Sequence, residues 1–359
     1  MTVAAGLIDR PPAFDAADRA ALVDSVRRLL AHRCAEADVR RIMASESGHD
    51  PALWRALADL GVVGLTIPHA HGGAGLGAIE LELVMEEAGA ALLPAPLLST
   101  VMAASLLAKG DGAGLSAIVA GEEIATVAFG GRHDWSGRGD VRLSGARITG
   151  TARFVTDAAI ADTILIALDE GVFAVAASDS RIAPLPTFDR TRRLADVAFD
   201  APARQIADAS AIAPAHALGI VALAGEQAGG ARRILDMTVA YAGERHQFGR
   251  AIGSFQAIKH MAADLLLESE SAISAARDAA RQVQEHAPTS EAAVALAAFA
   301  CADAFDRCAT DAIQMHGGIA FTWDHPAHLY LRRARSGAQL FGGSNLWRDR
   351  YLTALEKAA

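Results

Sequence analysis

Along the first third of the chain, apolar residues recur three and four positions apart, as at Leu22, Val23, Val26, Leu29 and Leu30. That spacing puts them on one face of a helix. The pattern runs from about Asp15 to Glu122 and is cut by turn-forming clusters such as Ser47-Gly48-His49-Asp50-Pro51. A further helix is expected over 79–90, and Leu92-Leu93-Pro94-Ala95-Pro96 ends it, since two prolines cannot extend a helix. Between 124 and 206 the period shortens. β-Branched runs at 124–129, 141–148, 153–156, 163–168, 172–176 and 197–199, separated by Gly and Asp turns, predict a small antiparallel unit. Beyond 207 the helical period returns, with long segments expected at 215–242, 255–284, 291–316 and 327–340. The predicted class is mostly α with a central β-domain, divided as 1–123, 124–206 and 207–359.

Composition narrows the function classes. Of 359 residues, 52% are apolar and only 5% aromatic, with Ala and Leu, the best helix formers, prominent. A formal charge of -9 leaves no basic stripe for a phosphate backbone, so no nucleic-acid partner is expected. Cys34, Cys301 and Cys308 are odd in number and scattered, which fits a reducing cytoplasm rather than a disulfide framework. Residues 1–12 carry no basic region ahead of an apolar run, so no signal peptide is read. No uncharged apolar run reaches membrane-spanning length, and the twelve histidines show no metal-ligand spacing. Gly72-Gly73-Ala74-Gly75-Leu76-Gly77 lacks the spacing of a dinucleotide fingerprint and reads as a turn.

Two blocks carry chemistry. The first is Tyr241-Ala-Gly-Glu244-Arg245-His-Gln247-Phe248-Gly249-Arg250 with Ser254-Phe255-Gln256. It forms a polar connection between two long helices, and an arginine fork matches phosphate oxygens in pairs. The second, Gln314-Met315-His316-Gly317-Gly318 followed by Phe321-Thr322-Trp323, ends a helix on glycines. Glycine caps helices, and its missing side chain also lets backbone amides approach an anion closely.

Together these blocks resemble the acyl-CoA dehydrogenase family, whose members oxidise the Cα–Cβ bond of acyl-CoA thioesters with FAD and a carboxylate base. The resemblance covers nearly the whole chain. It implies an N-terminal helical domain, a small antiparallel β-domain and a C-terminal four-helix bundle. It also implies that Arg245, Gln247, Phe248, Phe255, Gln256, Gln314, Gly317 and Gly318 reach an FAD held mainly by a neighbouring subunit. Arg153-Phe154-Val155-Thr156-Asp157 resembles the strand that sets an aromatic residue and a threonine against the isoalloxazine, which adds Phe154 and Thr156.

The family's flavin-cradling Thr-Glu-Pro and Ala-Gly-Ser stretch is missing; residues 127–136 read Val-Ala-Phe-Gly-Gly-Arg-His-Asp-Trp-Ser. Neither place where the family puts its base holds an acid. The C-terminal loop reads Leu340-Phe341-Gly342-Gly343-Ser344-Asn345, and the helical alternative falls on Gly219. Glu226, two helical turns beyond Gly219, and Asp324 are the carboxylates that could stand in for it. Asp189-Arg190-Thr191-Arg192-Arg193 reads as a charged turn, and Arg332, Arg333 and Arg335 as ion-pairing residues.

No catalytic residue and no metal ligand are therefore assigned. By resemblance the chain is expected to be the β-type, base-less partner in a bacterial α2β2 enzyme acting on bulky acyl-CoA substrates such as steroid side chains. An α-type subunit would complete it, with electron-transfer flavoprotein as acceptor and no membrane partner. Two alternatives stand beside this: a self-sufficient flavoenzyme of the same fold with a displaced base or different chemistry, and a non-catalytic scaffold.

Overall fold

Helix caps written into the sequence set the first elements. Asp15 accepts from the amides of Ala17 and Asp18 while the Asp18 carboxylate takes the Asp15 amide, closing a capping box on α1 (Ala16–Arg33). Asp50 caps α3 (Pro51–Asp59), whose first residue is a proline with no amide to satisfy. Between them lies α2 (Glu36–Ala44), and α4 (Ala78–Ala90), α5 (Leu97–Lys109) and the short α6 (Leu115–Val119) follow. The structure, a computed structural model, describes residues 14–358, so the expectation about a signal peptide at residues 1–12 lies outside the described residues.

Eight strands then form two four-stranded sheets. One has the order β2 (Arg142–Ser144), β3 (Arg147–Thr156), β7 (Leu194–Pro202) and β6 (Ser180–Pro184), and is antiparallel throughout. The other has the order β1 (Ala125–Phe129), β4 (Thr163–Leu168), β5 (Gly171–Ala176) and β8 (Arg204–Ala207). Here β1 runs parallel to β4, a departure from the wholly antiparallel unit expected. A parallel pair needs a long crossover, and the segment carrying β2 and β3 supplies it. Ile148, Ile164, Ile166, Phe173, Val197 and Phe199 fill the core of this unit.

The C-terminal part is helical: α7 (Ile212–Glu244), α8 (Gln256–Gln284), α9 (Ser290–His316), α10 (Ala327–Gly337) and α11 (Ser344–Ala358), with the two-residue strands β9 (His246–Gln247) and β10 (Arg250–Ala251) between α7 and α8. The sequence pattern missed α11 because its apolar residues do not form one stripe: Trp347 is buried, while Leu346, Leu352 and Leu355 are exposed. Helix α7 packs against α4, α5, α8, α9 and α10 and is the axis of the molecule. The stretch Ala209–Glu244 is long and apolar enough to cross a bilayer by length and composition alone, but Glu226, Arg232, Arg233 and Asp236 interrupt it and 61% of its most apolar window is buried inside the protein.

Glycines let α4 and α7 touch backbone to backbone. A Cβ at Gly89 would lie 1.8 Å from the carbonyl oxygen of Glu226, and one at Gly229 would lie 1.8 Å from that of Glu86. No larger residue fits either place without separating the helices. The three cysteines are free and buried.

Candidate functional site

The Arg245 block is an exposed hairpin. Arg245 closes α7, its amide donating to the Tyr241 carbonyl at 2.8 Å, and β9 pairs antiparallel with β10 across Phe248 and Gly249. Those two residues have φ of +52° and +77°, the left-handed pair that a two-residue turn requires. Phe248 is 94% exposed, touching edge-on only the half-buried Phe255 at 6.2 Å, and the Arg250 guanidinium lies 4.0 Å over Phe255. Arg245, Gln247 and Gln256 are exposed, and Arg245 makes no ion pair among the described residues.

The second block adjoins the first. At the end of α9 the chain turns at Gly317, φ +69°, into a 3-10 turn over Gly317–Phe321. A Cβ added at Gly317 or Gly318 would meet nothing within 4 Å, so the backbone there is open to an approaching group. Gln314, Gly317 and Gly318 are exposed, and so are Phe321 (78%) and Trp323 (53%). Tyr241 joins the blocks: its ring stacks on His316 at 4.5 Å, and its hydroxyl donates to the His316 carbonyl at 3.4 Å.

Phe154 and Thr156 lie elsewhere. A bulge between Ala152 and Val155 puts Phe154 at φ +55°, on the wall of a cavity of about 720 Å³ that none of the Arg245 or Gly317 residues lines. Thr156 is buried, and its carbonyl accepts the Thr126 hydroxyl at 2.6 Å.

Beside that cavity runs a continuous row of rings. Phe154 meets Trp135 at 6.0 Å, Trp135 meets Phe341 at 6.2 Å, and Phe341 meets Phe129 at 6.0 Å and His216 at 5.7 Å. His216 stacks on Trp347 at 5.7 Å. The row joins β1, the loop after it, β3, α7, the 340–343 loop and α11, and so takes in the segments where the cradle and the base were sought. Burial, together with Arg350, pushes the His216 imidazole down to about 4, so it is a neutral packing group at neutral pH. The sequence reading did not pick out His216 or Trp347; no local motif marks them, because their role exists only where several segments converge.

Both base positions are packed against a side chain. A Cβ at Gly219 would lie 2.6 Å from the Met102 sulfur. Gly342 has φ +104°, and a Cβ there would lie 2.4 Å from a Leu346 methyl. Glu226, weighed as a substitute base, is 2% exposed and clamped by two arginines. Arg192 Nη2 donates to its Oε2 at 2.6 Å, and Arg333 donates to Oε1 through Nε and to Oε2 through Nη2, both at 3.0 Å. Burial by itself raises a carboxyl pKa, but Arg192 and Arg333 outweigh it and hold Glu226 below the ordinary range. It is a structural anion. Asp324 is exposed on the far side of the Gly317 turn, with no place in the cavity.

The 189–193 segment is not the exposed charged turn expected. Asp189, Thr191 and Arg192 are buried, and Arg333 binds the Thr191 hydroxyl at 3.0 Å and lies 3.6 Å from Asp189. Of the three helical arginines, Arg333 and Arg335 form ion pairs, whereas Arg332 lies over Phe188 at 4.6 Å and Trp323 at 5.4 Å.

This helical–sheet–helical frame with an arginine hairpin and a double-glycine turn is that of an FAD-dependent oxidoreductase. The family models "Acyl-CoA dehydrogenase, N-terminal domain" and "Acyl-CoA dehydrogenase, C-terminal domain" match residues 16–128 and 218–354, and the chain belongs to the acyl-CoA dehydrogenase family. It is similar to the acyl-CoA dehydrogenase IpdE2 of Mycolicibacterium smegmatis, 38% identical over 90% of this chain and 94% of that protein. It is also similar to the acyl-CoA dehydrogenase FadE27 of Mycobacterium tuberculosis, 33% identical over 92% and 94%. Among solved structures it superposes on the Tcur3481-Tcur3483 steroid ACAD G363A variant, with a TM-score of 0.88, 27% identity and coverage of 95% and 98%. The ChsE4-ChsE5 complex from Mycobacterium tuberculosis gives a TM-score of 0.87, 28% identity and coverage of 94% and 97%.

Proposed function

We propose that this chain is the non-catalytic, β-type subunit of a heteromeric acyl-CoA dehydrogenase, assembled as α2β2 with an α-type companion. One observation carries the reading: the elements that would serve a neighbour's flavin are displayed outward, while the cavity that Trp135, Phe154, Gly342 and Gly343 wall on this chain has no carboxylate among its described lining residues. Arg245, an exposed cation with no ion pair among the described residues, fits a pyrophosphate, and the open Gly317-Gly318 backbone fits close approach to an anionic cofactor. FAD would supply hydride acceptance in the companion's pocket. Gln247, Phe248, Phe255, Gln256 and Gln314 would flank it there, and the companion would supply the base. Phe154, on the wall of that cavity, and the buried Thr156 would stand on the isoalloxazine side.

The likeness to the Tcur3481-Tcur3483 steroid ACAD and to the ChsE4-ChsE5 complex supports a heteromeric partner, and the steroid enzyme among them supports a bulky acyl-CoA substrate. Electron-transfer flavoprotein is the proposed acceptor. The clamp on Glu226 weighs against its serving as the displaced base of a self-sufficient enzyme. The test is expression of the chain alone and with an α-type companion. The proposal expects a colourless, inactive chain alone and a yellow, active complex. Tight flavin and full turnover from the chain alone would overturn it.

A further inference from the structure

Below the Gly317 turn lies a cluster of rings that the proposed flavin contacts do not use. His316, the last residue of α9, is stacked by Tyr241 at 4.5 Å and 27° and approached by His325 at 4.4 Å. At the second residue of α10, His328 meets Trp323 edge-on at 4.6 Å. His316 Nδ1 donates to the Ala312 carbonyl at 2.8 Å, which fixes its tautomer and leaves Nε2 as a bare acceptor. That nitrogen and Nε2 of His328 are buried with no hydrogen-bond partner among the described residues, and His316 is only 5% exposed.

We propose that His316 is the positioning residue of the partner-facing turn, and that it holds the turn through Tyr241 and His325 only while its ring is neutral. This rests on the reading that Gly317–Trp323 meets a companion subunit's flavin. A proton on Nε2 would point into a space without an acceptor, between an aromatic face and a second imidazole. The charged groups facing the cluster are Glu36 and Arg40 of α2 and Arg332 of α10. Glu36 is already matched, since Arg40 Nε donates to it at 2.8 Å, so no free carboxylate is at hand for an imidazolium.

The direction follows from burial. It lowers the pKa of His316, His325 and His328, the last to about 4, so the folded arrangement favours neutral rings. The stacking is therefore complete above the ordinary histidine pKa of about 6.5 and is lost as pH falls below it towards those lowered values. Flavin contact across the interface should loosen in the same window.

The experiment pairs two readouts over a titration from about pH 7.5 to 5, spanning histidine protonation. In the complex with the companion, retained flavin absorbance is followed. In the chain alone, the fluorescence contributed by Trp323 is taken as the difference between the chain and its Trp323→Phe variant. His316→Phe keeps a flat ring and removes the proton site, and His325→Phe provides a second variant if the first folds poorly. The expected result is normal flavin retention at the upper pH, with both acid transitions moved at least 0.5 pH unit lower. Transitions that superimpose on those of the unsubstituted chain overturn the proposal, as does loss of flavin from His316→Phe at the upper pH. If no yellow complex forms but the Trp323 transition moves as expected, the subunit reading fails while the role of His316 in the turn stands.

Discussion

Arg333 and Glu226 meet as two parallel hydrogen bonds of 3.0 Å in the interior, the guanidinium fork of α10 laid flat against a carboxylate of α7. Arg192 closes the other side, and Arg333 Nη2 also reaches the Leu93 carbonyl at 3.2 Å, so one buried cluster ties the residues ahead of α5, the residues ahead of β7, and both C-terminal helices. Glu226→Gln leaves two buried guanidiniums without their anion and should cost about 3–5 kcal/mol in denaturant unfolding. The Glu226 carboxyl is held low in the folded state, so its contribution is present above the unfolded value of about 4.5 and disappears as pH falls through the folded one. The gap between the parent and Glu226→Gln should therefore narrow in acid.

Glu82 is the opposite case. Burial, reinforced by Glu86, pushes its carboxyl up to about 8, and its Oε1 has no partner. The folded protein keeps it protonated where the unfolded chain ionises it, so it costs stability increasingly from about pH 4.5 up to pH 8. Glu82→Gln should raise stability by about 1–3 kcal/mol at pH 7.5 and leave it nearly unchanged at pH 4. Parallel unfolding curves at both pH values check this, and equal effects at the two would contradict it.

Restoring a carboxylate should not restore a base. Gly342→Glu forces a side chain into φ +104° against Leu346, and Gly219→Glu drives one into Met102. Each should lower stability by about 2 kcal/mol or more. Neither should give the isolated chain measurable acyl-CoA oxidation. Met102→Ala should recover stability for Gly219→Glu alone, which thermal unfolding of the pair would reveal.

On the proposed pyrophosphate contact, the geometry of the Arg245 fork should matter more than its charge. Arg245→Lys keeps the cation but cannot bind two phosphate oxygens side by side. Both Arg245→Lys and Arg245→Ala should weaken FAD retention by the complex about tenfold or more, measured by equilibrium dialysis, with the fold of the chain unchanged. Retention equal to the parent in both variants would remove Arg245 from the site.

Phe248 should show a trade between stability and assembly. Its φ of +52° costs an L-residue about 1 kcal/mol, and its ring is almost wholly in solvent. Phe248→Gly should leave the isolated chain as stable or slightly more so while weakening its association with the companion. Ultracentrifugation alongside unfolding separates the two effects.

Much of the frame was legible from residue spacing alone: the 3.6-residue period of α7, α8 and α9, the short strands, and the proline stop before α5. The polar connection at Arg245 and the glycine turn at Gly317 were legible because local text encodes them, although the β9–β10 pairing that makes the connection a hairpin was not. What escaped is what only convergence creates. Asp189 and Arg192 look like surface charges until Glu226 and Arg333 arrive from residues 34 and more positions away. The aromatic row draws one ring from each of several segments, and α11 has no apolar stripe to announce it. Nor does period-two alternation reveal that β1 runs parallel to β4.

The glycine contacts between α4 and α7 have one further consequence. At Gly89 and Gly229 the spacing of these helices is gauged by peptide groups, which mutation cannot trim, rather than by side chains, which it can. Substitutions elsewhere leave this ruler untouched. On the proposed subunit role, the frame would keep its spacing whatever side chains line its own cavity, and that constancy would serve a site lying in the companion molecule.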